Sequence, residues 1–312
     1  AYWKNNYKGI NFANQVIERV PEMTDEMMSS TARTKAVNEA RFLRAYYHMK
    51  LILNWKEIVV RDKYVTKQSE IAKALSTREE AWTFIIDELK AATALPTTQD
   101  ADNCGRATSG AAYAYLGFAY LTRAYEESGK KADYLGEALK AFEQVKGYEL
   151  ESNFVSMFDG TNKNCKESIF ELQYTMSTAN GADYRTALHR WIGCSELKGW
   201  DEIIPSSFLF DEFTKEGEIA TTGRYDSRLY STLFYQCDYF NDPIEKRVYD
   251  KTYDDWFKKN GVSYNRPVFR KLMPPTFEAL ELSRFANNIP LMRYSNVLLM
   301  QAEALNELDR TS

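Results

Sequence analysis

The sequence is short of the residues that build most catalytic and metal centres. It has two histidines, His48 and His189, in 312 residues. Its four cysteines, Cys104, Cys165, Cys194 and Cys237, show no C-x-x-C and no regular spacing. Structural zinc sites draw on closely spaced Cys and His, so no metal is expected, and the cysteines read as free or incidentally paired thiols. A dominant charge is missing too. The 40 basic and 44 acidic residues give a net charge of -4 without a basic stripe, which argues against a nucleic-acid partner. No apolar run reaches the roughly 18 residues of a membrane-spanning helix. There is no glycine-rich phosphate loop, and His189 has no serine or cysteine beside it in a nucleophile motif. Asp201-Glu202 and Asp254-Asp255 are neighbours in loops, where paired acids diverge; they suit solvated turns better than the facing carboxylates of a glycosidase. Neither catalysis nor a cofactor is expected.

Aromatic residues, by contrast, are abundant. They make up 14% of the chain, with 21 Tyr, 17 Phe and 6 Trp. That is more than a helical core needs, so some rings are expected to face a ligand or a partner. Apolar spacing predicts five helices in the first half: about Trp3–Arg19, Ala32–Asn54, Arg78–Ala94, Ser109–Glu127 and Asp133–Val145. Thr77-x-x-Glu80 is a capping box for the third, and Pro96 stops it. In the fourth and fifth, Leu116-Gly117-x-x-Tyr120 followed by Ala138 and Phe142 partly matches the tetratricopeptide (TPR) pattern, in which small residues let two helices approach and large ones fill the gap. Generic helical hairpins are the alternative.

After Gly147 the pattern changes. Glu167–Thr175 alternates like a short strand, with Phe170, Leu172 and Tyr174 on one face. About Met176 to Asn287 is loop-like and ring-rich, with short helices expected at Ser207–Lys215 and Asp254–Asn260. Asn288–Leu308 then reads as one amphipathic helix with Pro290 just before its first turn. The expected class is mainly α: helical hairpins (1–157), a loop-rich insertion with short strands expected to bind ligand (158–287), and a return to the hairpin layer (288–312). A hairpin needs a second helix after Asn288–Leu308, and Ala1-Tyr2-Trp3 leads straight into a helix. The chain is therefore expected to be a piece of a longer protein, lacking both termini.

Six blocks stand in order along the chain: ARFLRAYYHMKLILNW, REEAWTFIIDELKAATALP, GRATSGAAYAYLGFAYL, KESIFELQY, GWDEIIPSSFLFDEF with Tyr225-Asp226-Ser227-Arg228, and NIPLMRYSNVLLMQAEALNE. Together they resemble the SusD/RagB family, the starch-utilization-system D group of outer-membrane lipoproteins. Ser295-Asn296 and Asp226-Ser227 depart from the family's usual Ala-Asp and Asp-Pro. The resemblance implies a cell-surface lipoprotein that captures oligosaccharide and delivers it to a SusC-like, TonB-dependent outer-membrane transporter. Peptide-binding relatives keep a peptide ligand open. An intracellular TPR adaptor and a helical glycosidase are the remaining readings, and the large loop insertion argues against the adaptor.

Sugar rings offer C–H faces to aromatic rings and hydroxyl edges to amides, carboxylates and guanidinium groups. Ligand-binding candidates are therefore rings beside such groups: Trp3 with Asn6, Tyr184 with Arg190 and Trp191, and Tyr253 with Trp256. Trp200, Trp55 and Trp82 read as packing residues.

Overall fold

Helices form where the apolar spacing places them. In a computed structural model describing residues 1–178 and 183–310, the first half holds α1 (Tyr2–Arg19), α2 (Ser30–Ile52), α3 (Arg78–Ala92), α4 (Ser109–Glu126) and α5 (Lys131–Phe142). These are the five expected helices with their ends shifted by a turn or less. The capping box of α3 is made: Glu80 N donates to Thr77 Oγ1 at 3.2 Å, and Thr77 N donates to Glu80 Oε2 at 2.8 Å. Ser29 and Thr108 cap α2 and α4 through their hydroxyls.

The chain divides into two units. The first comprises Ala1–Leu150, Lys166–Phe170 and Met292–Ser312. Its core includes Ile10, Phe42, Trp82, Ile85, Leu116 and Phe142. The α4–α5 contact follows the small-against-large rule, since a Cβ on Gly117 would lie 2.3 Å from the Phe142 ring. A buried polar network ties α1, α2 and α3 to the α2–α3 connection. Arg44 donates to Glu88 (2.8 Å), Asn14 Oδ1 (2.8 Å) and the Asp62 carbonyl (3.1 Å). Asn14 in turn donates to the carbonyls of Arg61 and Lys63. Such groups stay buried only because each finds a partner.

The second unit, Glu151–Cys165 and Glu171–Leu291, has its own core, with Leu229, Phe234, Phe240, Tyr253, Phe257 and Leu280. Its elements are short: α6 (Leu188–Ile192), α7 (Ser207–Thr214), α8 (Ser227–Thr232), β2 (Leu233–Phe234), α9 (Tyr253–Trp256), β3 (Lys258–Lys259), β4 (Val262–Ser263), β5 (Val268–Phe269) and α10 (Phe277–Glu281). They follow β1 (Ser168–Leu172), and the chain ends with β6 (Ile289–Arg293) and α11 (Tyr294–Glu307). β2 pairs antiparallel with β5, and β1 pairs with β6. The fold is mainly α, with TPR-like hairpins.

Three local expectations are corrected. Asn288–Leu308 is not one helix. Ile289–Arg293 is a strand, because the residue before Pro290 is pushed to extended backbone and the segment pairs with β1. The helix starts only at Tyr294, where Arg293 N donates to Asn296 Oδ1 at 3.3 Å. Asp254–Asn260 is likewise not a helix: α9 stops at Trp256, and a two-residue turn at Asn260-Gly261 joins β3 to β4. Both turn residues have positive φ (52° and 77°), the requirement of a type I′ hairpin. In β1 the alternation holds, but Ile169 and Glu171 are its buried residues, while Leu172 is exposed. The buried acids are satisfied: Glu171 accepts from Asn164 N and Asn288 Nδ2 at 2.7 Å, and Glu167, just before the strand, accepts from Arg293 and Ser295.

Candidate functional site

The structure separates the predicted candidates. Tyr253 is fully buried; its ring stacks on Phe257 at 4.1 Å and its hydroxyl donates to the Arg266 carbonyl at 2.6 Å. It is a core residue. Trp256 is half-buried, with its Nε1 donating to the Val248 carbonyl at 2.7 Å, Phe277 against its ring and Lys251 Nζ 4.2 Å from its centroid. Its faces are already occupied. Asn6 is buried as well and donates to the Tyr2 carbonyl at 2.8 Å. Asn6, Ile10 and Ala13 form the inward stripe of α1, which turns this amide away from any ligand. Trp3 packs edge-on against Trp55 at 4.9 Å and remains partly exposed on the wall of a cavity of about 550 Å³ in the first unit.

Arg190 is committed to backbone. Its Nε donates to the Leu282 carbonyl (3.1 Å), and its terminal nitrogens to the carbonyls of Glu281 (2.5 Å) and Lys198. It serves as a clamp on the loop rather than as an open ligand group. Tyr184 is exposed, and its carbonyl accepts from Thr175 N.

Trp191 is 47% exposed, and it meets a partner that the periodicity did not single out. Trp200 is 50% exposed, and the two rings stand edge to face, 5.1 Å between centroids and 83° apart. The backbone arranges this. Trp200 N donates to the Arg190 carbonyl (2.7 Å), Ile203 N to the Trp191 carbonyl (3.0 Å) and Asp201 N to the Gly193 carbonyl (3.1 Å). The strands of this loop come so close that a Cβ on Gly199 would lie 1.9 Å from the Gly193 carbonyl oxygen, so only glycine fits. Ile203 and Ile204 extend the exposed apolar surface. The signal for Trp200 was present as Gly193 and Gly199 bracketing an aperiodic turn, which lifts the tryptophan out of any buried stripe.

The charged groups behind this corner are paired. Arg266 binds both Glu196 (2.8 Å) and Asp201 (2.5 Å), and Tyr264 donates to Glu196 at 2.6 Å. Burial works to raise the Glu196 carboxyl, but the hydrogen bonds from Tyr264 and Arg266 outweigh it and hold it below its ordinary value. Burial pushes the Cys194 thiol up to about 12, which leaves it protonated and unreactive. It also lowers His189, whose Nε2 lies 2.8 Å from the Leu282 carbonyl. The corner offers two indole faces at right angles on a rigid base, an arrangement suited to stacking rather than to proton transfer.

Two family models match the chain: the SusD family over residues 166–312, and a family described as starch-binding associating with outer membrane over residues 1–121. A SusD-like protein of Bacteroides ovatus is 28% identical over 72% of this chain and 43% of its own length. SusD-like protein P2 of Formosa agariphila is 28% identical over 100% of this chain and 59% of its own. The chain thus spans about half the length of the curated relatives it matches. A SusD-like carbohydrate binding protein from Bacteroides fragilis has the same fold, with a TM-score of 0.78 at 22% identity over 99% of this chain and 61% of that one. Models of this group match the chain over both flanks, residues 1–121 and 166–312, and this similarity supports the SusD/RagB resemblance.

Proposed function

We propose that this protein is a non-catalytic, cell-surface glycan-binding protein, attached to the outer membrane, that captures oligosaccharide and hands it to a SusC-like, TonB-dependent transporter. The observation that carries this reading is the exposed Trp191–Trp200 corner. Indole faces left half in water favour apolar, flat partners, and the C–H face of a pyranose is such a partner. The rigid loop base supports it, because a preformed platform loses little entropy on binding. The outer-membrane family description and the carbohydrate-binding relative from Bacteroides fragilis support the same reading.

The test is a calorimetric titration with oligosaccharides of several linkages and with short peptides. The reading predicts saturable binding to at least one glycan class and none to the peptides. Peptide binding with silence across the glycans would replace the ligand class and overturn it.

A further inference from the structure

We infer that the cavity beside α1 is a separate binding site for an anionic saccharide, one carrying a carboxylate or sulfate. The inference rests on the glycan reading above and adds a ligand charge to it. The cavity, of about 550 Å³, falls in the roughly 300–1,000 Å³ range of small-ligand sites. Helix geometry sets its chemistry. Trp3 and Tyr7 are four residues apart and form a ring stripe; Lys4 and Lys8 form a parallel cationic stripe one residue on. Arg61 faces them from the α2–α3 connection. Among the described residues, no Asp or Glu lines the cavity, and none forms an ion pair with Lys4, Lys8 or Arg61. In a chain with more acids than bases, this is a local excess of positive charge.

That excess has a cost in the free protein. Like charges four apart on a helix repel, and Lys4 lies in the first turn, where the helix dipole disfavours a cation. An anion in the cavity relieves both. The walls are also fixed in advance. Tyr7 Oη donates to the Val59 carbonyl (2.9 Å) and accepts from Val59 N (2.8 Å). Arg61 is held through its guanidinium by the carbonyls of Glu70 (2.9 Å) and Ile71, and through its backbone N–H by His48 Nε2 (3.0 Å). Carbonyls orient the guanidinium without cancelling its charge. Ring stripe and cations together select a sugar face with an acidic substituent.

The experiment titrates the full chain with an oligogalacturonide, a sulfated oligosaccharide and a neutral oligosaccharide of equal length, at low and high salt. The first two arms separate carboxylate from sulfate. The expected result is tighter binding of one acidic ligand than of the neutral one, weakening as ionic strength rises from roughly 0.05 to 0.5 M. Lys4→Glu/Lys8→Glu, which leaves a helix-compatible first turn, should lose about tenfold or more in that affinity. Acidic binding that is no tighter than neutral binding, or that ignores both salt and the double variant, overturns the inference while leaving the glycan reading in place. Silence towards every saccharide overturns the glycan reading itself.

Discussion

Trp191 and Trp200 spend about half of their surface on the protein and half on solvent. Truncating either ring should therefore cost the fold little and a stacked ligand much. Trp191→Ala and Trp200→Ala are each expected to weaken oligosaccharide binding about tenfold, or ~1.4 kcal/mol, with Trp→Phe retaining part of it. Calorimetry of the four variants checks this, and an unchanged affinity would remove the corner from the site. His48 gives a second residue-scale prediction. It is fully buried and neutral, with Nδ1 2.8 Å from the Arg44 carbonyl and Nε2 accepting from Arg61 N. Burial lowers its pKa to about 4. The unfolded chain, with its ordinary value near 6.5, takes up the proton first as pH falls. Stability is thus undiminished by this group above pH 6.5 and is lost between 6.5 and 4. From pH 7 to pH 5 the loss should be about 2 kcal/mol. Urea unfolding at both pH values should show a larger loss in the native chain than in His48→Gln, by about that amount, the variant keeping only the contribution of His189, whose pKa burial also lowers. At this scale the sequence was only partly legible. Ring type and chain neighbourhood singled out Trp191, which is exposed, but did not foresee the inward turn of Asn6 or the burial of Tyr253, which depend on the helix face and on a core assembled from distant loops.

The elements rest on close approaches that single glycines permit. A Cβ at Gly199 would collide with backbone rather than with a movable side chain. Gly199→Ala should therefore part the two loop segments, destabilise the protein by about 2 kcal/mol or more and abolish the edge-to-face tryptophan contact. Near-ultraviolet circular dichroism and thermal unfolding read both effects. Gly117→Ala differs, because its Cβ meets the Phe142 ring, which can be shortened. Gly117→Ala should destabilise by about 1–3 kcal/mol and be partly rescued by Phe142→Leu, a coupling that a double-mutant cycle measures. Helical period made α1 to α5 legible, and the small-against-large pattern made the α4–α5 contact legible. The period failed at Ile289–Arg293, where apolar residues and a proline serve a strand, and at Asn260-Gly261, where a two-residue turn signal lay at the end of an apparent helix. The first miss arises because pairing with β1 is decided by a distant partner, whereas helical bonds are local; in the second, a local turn signal was outweighed by apparent helical spacing.

At the scale of the whole molecule, acids and bases nearly balance, and no described helix is long and apolar enough to cross a membrane. The family resemblance was readable from six short blocks because those blocks are helix contacts and turns with strict steric demands. The ligand was not readable, since exposed rings on irregular loops carry no periodic signature. If capture feeds a transporter, a bacterium carrying Trp191→Ala/Trp200→Ala in the full-length protein should take up oligosaccharide more slowly at limiting concentration and normally at saturating concentration. Equal uptake at both concentrations would separate binding from transport. The most direct measurement is a crystal structure of the chain soaked with the neutral oligosaccharide that binds best in titration. The account predicts a sugar ring lying parallel to the Trp191 or Trp200 indole at van der Waals distance, about 4 Å. A sugar bound elsewhere, with both indoles bare, would contradict it.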